Sequence, residues 1–245
     1  MSTAEPLLLY IETSTEVCSV AISSSDVVLY RKIVREPKAH ARIIAPMIED
    51  LFKEVGFGIE KCDAVVVSEG PGSYTGLRVG VALAKGLCFA SGKPLISVGS
   101  LDLLANLASD IVLSQESYQE YSGVESIVPM IDARRMEVYT ATYTKDAQRL
   151  TPVEAMVVDE NSFADLLSKG VTLFCGDGSA KVSTIIDHPN AKFLSIDSIA
   201  EGMVKRAVTK FREGLFEDVA YFEPFYLKDF IAGVSKRGPL NMKSR

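Results

Sequence analysis

The sequence predicts an α/β protein in which one βββαβα plan is used twice, and three observations carry that prediction. Three short apolar runs open the chain, 7–13, 17–23 and 27–34, separated by tight polar turns, and they read as an antiparallel meander. A helix with a 3.6-residue apolar period follows, then an apolar strand that leads into a second helix. From residue 127 the order starts again. At an offset of 120 positions "YIETSTEVCSVAIS" (10–23) lies over "MIDARRMEVYTATY" (130–143), and Glu12 falls on Asp132. Identity between the halves is slight, so the shared plan is what identifies the duplication.

In the first half, the helix at 39–55 places Ile43, Ile44, Met47, Ile48, Leu51, Phe52 and Val55 on one face. A strand at 63–68 enters a glycine-rich turn and the second helix. "PLISV" (94–98) is a strand, and a helix capped by Ser100 comes after it. Residues 101–126 hold five acids and no Lys or Arg, which reads as a linker or a mobile surface segment. The second half has strands at 127–132, 137–144 and 153–158, a helix near 161–168, the strand "VTLFC" (171–175), then "GDG" and further helices. The organisation expected is a first half at 1–108, a linker at 109–126, a second half at 127–229 with a C-terminal helix, and a tail at 230–245. The tail carries Lys236, Arg237, Lys243 and Arg245 without an acid, so salt-sensitive RNA contact is weighed against plain disorder.

The glycine-rich stretch "SEGPGSYTGLRVGVALAKGL" (68–87) has the strand–turn–helix form of a phosphate loop. Its spacing fits neither G-x-G-x-x-G nor the P-loop pattern. A step of four recurs instead, through Gly72, Gly76, Gly80 and Ala84, and stacks into one helical stripe with almost no side chain. Glycine inside a helix costs about 1 kcal/mol relative to alanine, so the stripe needs a close neighbour. Two readings follow, a buried core helix or a face that receives a partner. On the second reading the interface comprises Gly72, Tyr74, Thr75, Gly76, Arg78, Gly80 and Ala84, joined by Ile44 and Met47 of the preceding helix.

The composition is ordinary for a soluble domain, with 47% hydrophobic and 24% charged residues over 245 positions. A net charge of −6 argues against independent nucleic-acid binding. Cys18, Cys62, Cys88 and Cys175 are far apart in apolar surroundings and read as buried, reduced thiols. No run reaches the ~20 apolar residues of a membrane span, and the start of the chain has no signal-peptide pattern. A cytoplasmic location is expected.

Tandem βββαβα halves around a cleft are the layout of the actin, Hsp70 and sugar-kinase (ASKHA, ribonuclease H-like) fold. The segments "IETSTEVCSVAIS", "SEGPGSYTGLRVGVALAKGL", "PLISVGSLDLLA", "IDARRMEVYTATY" and "EPFYLKD" together resemble the TsaB (YeaZ) family over residues 7 to about 229. The likeness is dense through 64–108, and "GPGSYTGLRVG" is its most specific block. The resemblance implies a dimerisation subunit of the bacterial machinery that makes threonylcarbamoyladenosine at position 37 of tRNAs reading ANN codons. It implies a TsaD-like transferase as partner, a homodimer when alone, a TsaE-like ATPase in the complex, and tRNA reached only through that complex. It also implies that the glycine-striped helix joins a pseudo-symmetric bundle with the transferase or a second copy.

Catalytic machinery is hard to find in the residues. The related transferase TsaD implies an H-x-x-x-H metal pair on one helix face, which can grip one ion. Here only His40 and His188 exist, and Ile44 stands four positions after His40. No metal site is expected, and His40 reads as a solvated or interface residue. Nucleotide phosphates would sit against the two hairpin turns, at Glu12, Thr13 and Ser14 and at Asp132, Arg134 and Arg135. The arginines are expected to pair with Glu12, Asp132 or Glu137 across the cleft; the sharper alternative is that they grip a phosphate or a carboxylate. Glu12 and Asp132 also form a conceivable acid–base pair. The reading is a non-catalytic scaffold without a cofactor of its own, with weak ATP or ADP binding at a partner interface left open. The alternative is an actin-fold enzyme that uses ATP or a glycoprotease-like peptidase.

Overall fold

The computed structural model describes residues 5–114 and 120–228. Its first sheet begins with the expected meander, β1 (Leu7–Glu12), β2 (Cys18–Ser24) and β3 (Val27–Val34), in antiparallel register from Leu7 opposite Ser24 to Glu12 opposite Ser19. Helix α1 (His40–Val55) follows and ends at Gly56, whose φ of 77° closes it in the left-handed region. Strand β4 (Ala64–Gly70) pairs parallel to β1, helix α2 (Tyr74–Ser91) crosses over, and β5 (Leu95–Gly99) pairs parallel to β4. The sheet order is β3-β2-β1-β4-β5. Helix α3 (Ser100–Leu113) leads out of it.

The second sheet repeats this order. Strands β6 (Val124–Asp132), β7 (Glu137–Thr140), β8 (Tyr143–Thr144) and β9 (Glu154–Val157) precede the short helix α4 (Ala164–Leu167) and β10 (Val171–Cys175). Then come the short helix α5 (Ser179–Val182), β11 (Ala191–Leu194), a 3-10 turn (Ala200–Met203) and α6 (Val204–Glu213). The order is β9-β7-β6-β10-β11, with β8 on β6, and β10 runs parallel to both β6 and β11. β6 is therefore the counterpart of β1, and β10 of β4. The strand expected at 137–144 is two strands, because the chain turns outward at Thr142, where Leu150 N–H reaches the Thr142 carbonyl at 2.7 Å. The helix expected near 161–168 has a single turn.

Alternation along the strands sorts the core into layers. Leu9 and Ile11 of β1 and Val65 and Val67 of β4 face α1 and α2. Their neighbours Leu8, Tyr10, Ala64 and Val66 face a central cluster that includes α3, α6 and the inner face of the second sheet. Val128, Met130 and Phe174 face α4 and α5 on the far side. Two sheets thus enclose α3 and α6.

This placement corrects the linker reading at 101–113 and 124–126. Leu101, Leu103, Leu104, Ala105, Ala108 and Val112 are buried on α3, and Val124 already belongs to β6. Basic residues are missing from α3 because it is covered on almost every side, and ions cannot be desolvated cheaply. Its acid Asp102 is satisfied by the Tyr143 hydroxyl at 2.9 Å and by Arg149. Ser100 is not the cap: Gly99 occupies that position, and Ser100 is the first helical residue. The basic tail at 230–245 lies outside the described residues.

Candidate functional site

The glycine-rich turn holds a piece of its own chain. The Ser73 N–H donates to the Ser14 carbonyl at 2.6 Å, which seats the β1–β2 turn on the N-terminus of α2. A β-carbon at Gly72 would collide with the Ser14 carbonyl, one at Gly76 with the Thr13 carbonyl, and one at Gly80 with the Thr13 hydroxyl. Ser73 caps the helix as well, its hydroxyl accepting from Gly76 N–H at 3.3 Å. The place where a phosphate would lie against the helix is filled by the backbone of Thr13 and Ser14.

The interface set therefore needs correction. Gly76, Gly80 and Ala84 are buried against their own sheet and turn, and Gly72 packs on Ser14. Ile44 and Met47 are buried in the cluster beneath α1. The reason is topological: a crossover helix between β4 and β5 must lie on the sheet, and its small stripe admits the β1–β2 turn. Thr75 and Arg78 are exposed, and Tyr74 is half-buried. The small-residue stripe does not mark the opposite face of α2, where Thr75, Arg78, Ala82, Gly86 and Phe89 are exposed. Phe89 is 87% exposed, and a β-carbon at Gly86 would meet nothing within 4 Å. The same helical period, started at Thr75 instead of Gly72, would have found it.

Between the halves lies a cleft of about 960 Å³, walled by Ser14, Gly72 and Ser73 on one side and Asp132, Arg134 and Asp177 on the other. Glu12 and Thr13 do not line it; both are fully buried beneath the turn. The Glu12 carboxylate accepts the Ser14 N–H at 2.6 Å. Burial pushes its pKa above the usual carboxylate range, and the bond from Ser14 offsets part of that rise. Asp132 makes the equivalent bond in the second half, accepting the Arg134 N–H at 2.6 Å. It is exposed, however, and bound by Lys181 at 2.9 Å. One acid is sealed in the core and the other is paired at the surface, so they do not form an acid–base couple.

Lys181 also donates to the carbonyls of Arg135 and Glu137, at 2.9 and 2.6 Å. It fixes a turn in which Arg134 and Arg135 adopt φ of 72° and 53°. The expected pairing of these arginines does not occur. Glu12 is bound to Ser14, Asp132 to Lys181, and Glu137 to Lys228. Among the described residues neither Arg134 nor Arg135 takes part in an ion pair, and both are exposed at the rim of the cleft. Asp177 beside them accepts the Asp132 N–H at 3.0 Å, and burial raises its carboxyl pKa.

His40 is buried in the first turn of α1 rather than solvated, and its Nε2 finds no hydrogen-bond partner among the described residues. Ile44, four positions on, is in the core. Among the described residues no group of three or more His, Cys, Asp and Glu converges as metal ligands. The four cysteines are free and buried. Burial pushes the thiols of Cys18 and Cys62 up to about 12 and that of Cys88 to about 11. No helix among the described residues is long and apolar enough to cross a membrane.

Comparison with known proteins places this geometry. A family model described as "TsaD: tRNA N6-adenosine threonylcarbamoyltransferase" matches residues 34–233. The "tRNA threonylcarbamoyladenosine biosynthesis protein TsaB" of Escherichia coli is 29% identical over 235 residues, covering 92% of this chain and 96% of the relative. The protein of the same name from Haemophilus influenzae is 35% identical over 147 residues, 58% of this chain and 56% of the relative. The structure of YeaZ from Pseudomonas aeruginosa superposes with a TM-score of 0.72 at 28% identity, over 91% of this chain and all of that one. A further P. aeruginosa structure, described as similar to "peptidase YEAZ", gives 0.77 at 27% identity, with the same coverage. The chain belongs to the TsaD-type tRNA threonylcarbamoyltransferase family and, within it, to the TsaB (YeaZ) proteins.

Proposed function

We propose that this chain is a scaffold subunit, without catalytic activity of its own, in the synthesis of threonylcarbamoyladenosine at position 37 of tRNA. It pairs with a TsaD-like transferase through the outer face of α2. The observation that carries this reading is that face itself: an 18-residue helix exposes Thr75, Ala82, Gly86 and Phe89 in one row, with open space over Gly86. Small residues flanked by a large exposed aromatic suit a close helix–helix contact with an anchor at one end. A transferase of the same family carries a related half, since one from Solidesulfovibrio magneticus is 31% identical over 154 residues. Two such halves can pair pseudo-symmetrically, and a second copy of this chain competes for the same face. The seating of Thr13 and Ser14 on the α2 N-terminus supports a role in packing over phosphate handling in this chain. The free guanidinium groups of Arg134 and Arg135 would serve for weak contact with an ATP or ADP phosphate where the partner closes over the cleft. A TsaE-like ATPase completes the complex, and tRNA is reached through it.

The test is co-elution with a purified TsaD-like transferase. Wild-type chain forms the pair. Gly86→Leu keeps a cooperative melt but fails to pair, and Phe89→Asp weakens pairing by about 2 kcal/mol or more. A Gly86→Leu variant that binds as wild type, or robust ATP turnover or peptidase activity by the isolated chain, overturns the scaffold reading.

A further inference from the structure

After α6 ends at Gly214, the chain runs back along the first half and crosses to the second. Glu217 N–H donates to the Leu95 carbonyl at 2.9 Å, and the Ser97 hydroxyl donates to the Glu217 carboxylate at 2.6 Å. Lys85 of α2 reaches across to the carbonyls of Ala220 and Phe222, at 3.2 and 2.9 Å. Phe225 N–H donates to the Glu69 carbonyl at 2.7 Å, and its own carbonyl sits so close to Gly70 that a β-carbon there would clash. Tyr226 then packs on Tyr74, ring centroids 4.9 Å apart, and Lys228 forms an ion pair with Glu137 of β7. The strap 215–228 is thus tied to the C-terminal end of β4, to α2 and to the opposite half.

Tyr226 meets α2 at its first turn, one contact among those that also include Lys85 further along the helix. Arg78, exposed on the outer face, lies with its guanidinium carbon 4.9 Å from the centre of the Tyr74 ring. Burial raises the Tyr226 phenol above its ordinary pKa, and the neighbouring Arg78 pulls the other way. Tyr74, Tyr226 and Arg78 therefore form one cluster with the strap on its inner side and the proposed partner face on its outer side.

We propose that the strap is a clasp and that Tyr226 is a positioning residue for the partner face. By packing on Tyr74 it restricts Arg78 to a narrow set of rotamers, so the guanidinium is presented in place before the partner arrives. The gain is in preorganisation, because an arginine that is already ordered loses less conformational freedom on binding. The group it is set to receive is a carboxylate on the transferase subunit, which a guanidinium fork recognises well. This inference rests on the scaffold reading above.

The test compares Tyr226→Ala and Tyr226→Phe in the full chain by calorimetric titration with the transferase subunit, thermal melting and amide hydrogen exchange. Tyr226→Ala is expected to bind about tenfold more weakly, to keep a cooperative melt, and to exchange faster only at residues 74–80 and along the strap. Tyr226→Phe keeps the ring and stays within about twofold of wild type. Wild-type affinity in Tyr226→Ala, or Tyr226→Phe as weak as Tyr226→Ala, overturns the clasp. If Tyr226→Ala loses its cooperative melt, Tyr226→Leu takes its place, since it keeps apolar bulk without the flat ring. If wild-type chain does not bind the transferase, the scaffold reading falls. The exchange measurement then decides the clasp alone, and unchanged protection at 74–80 overturns it.

Discussion

A side chain at Gly80 would have to displace Thr13, which is fully buried and held in the turn that Ser73 anchors. Gly80→Leu should therefore destabilise the protein by roughly 1–3 kcal/mol through overpacking, only partly offset by about 1 kcal/mol of gained helix propensity. Gly86→Leu, six residues on, gains the propensity without the clash. Urea titration should move the two midpoints in opposite directions, and a Gly80→Leu variant as stable as wild type would contradict the seating of Thr13 on α2. Glu12 offers a second measurement at this scale. Its folded pKa is raised, chiefly by burial, above an unfolded value near 4.5. The folded state then binds more protons than the unfolded one above that pH, so the Glu12 contribution to stability falls as pH rises from about 4.5 toward the folded pKa. Glu12→Gln removes this term. The stability difference between Glu12→Gln and wild type should grow in favour of the variant across that window, and a difference independent of pH would show that folding does not raise the Glu12 pKa.

At the scale of elements, the parts legible in the sequence were those whose period is enforced by a sheet or a long helix. The β1–β2–β3 meander, α1, α2 and the equivalence of Glu12 with Asp132 were all readable, β1 and β2 as apolar runs between polar turns and α1 from its buried stripe beside an exposed face. Elements of two to four residues, such as α4, α5, β8 and β11, have too few positions to display a period, and tertiary contacts decide them. The helix after β5 was readable and is α3, but its surroundings were misread. It has no polar face, so its composition in acids and lack of cations looked like a solvated segment when burial between two sheets was the cause. The candidate site shows a related limit. Small residues four apart announce a close approach, but the pattern does not say which chain makes it; here the approaching backbone is Thr13 and Ser14. Likewise, Lys181 lies 49 positions from Asp132, so no local pattern could show that it takes the acid and leaves Arg134 and Arg135 without an ion pair among the described residues.

For the whole molecule, the decisive feature is that the halves share a core. Leu8, Tyr10 and Val66 of the first sheet and Ile127, Ile131 and Leu173 of the second belong to one cluster filled by α3 and α6. Polar ties cross the same boundary, from Ala200 N–H to the Ser19 hydroxyl at 2.9 Å and from Lys210 to the Ser97 carbonyl at 2.8 Å. Neither half can leave without exposing α3, so hinge opening of the cleft is coupled to loss of the core and unfolding should be a single transition. The thiols provide the probe. Cys18, Cys62 and Cys88 report on the first half and Cys175 on the second, and all four are buried with pKa values raised by burial, hence unreactive in the folded protein. In a urea series, alkylation of all four should appear at one midpoint, coincident with loss of the far-ultraviolet circular dichroism. Leu104→Ala, at the centre of α3, should lower stability by about 2–5 kcal/mol and move the midpoints of Cys88 and Cys175 together. Two resolved midpoints, or a Leu104→Ala shift confined to one half, would mean that the halves fold as separate units and that the shared core does not hold the cleft rigid.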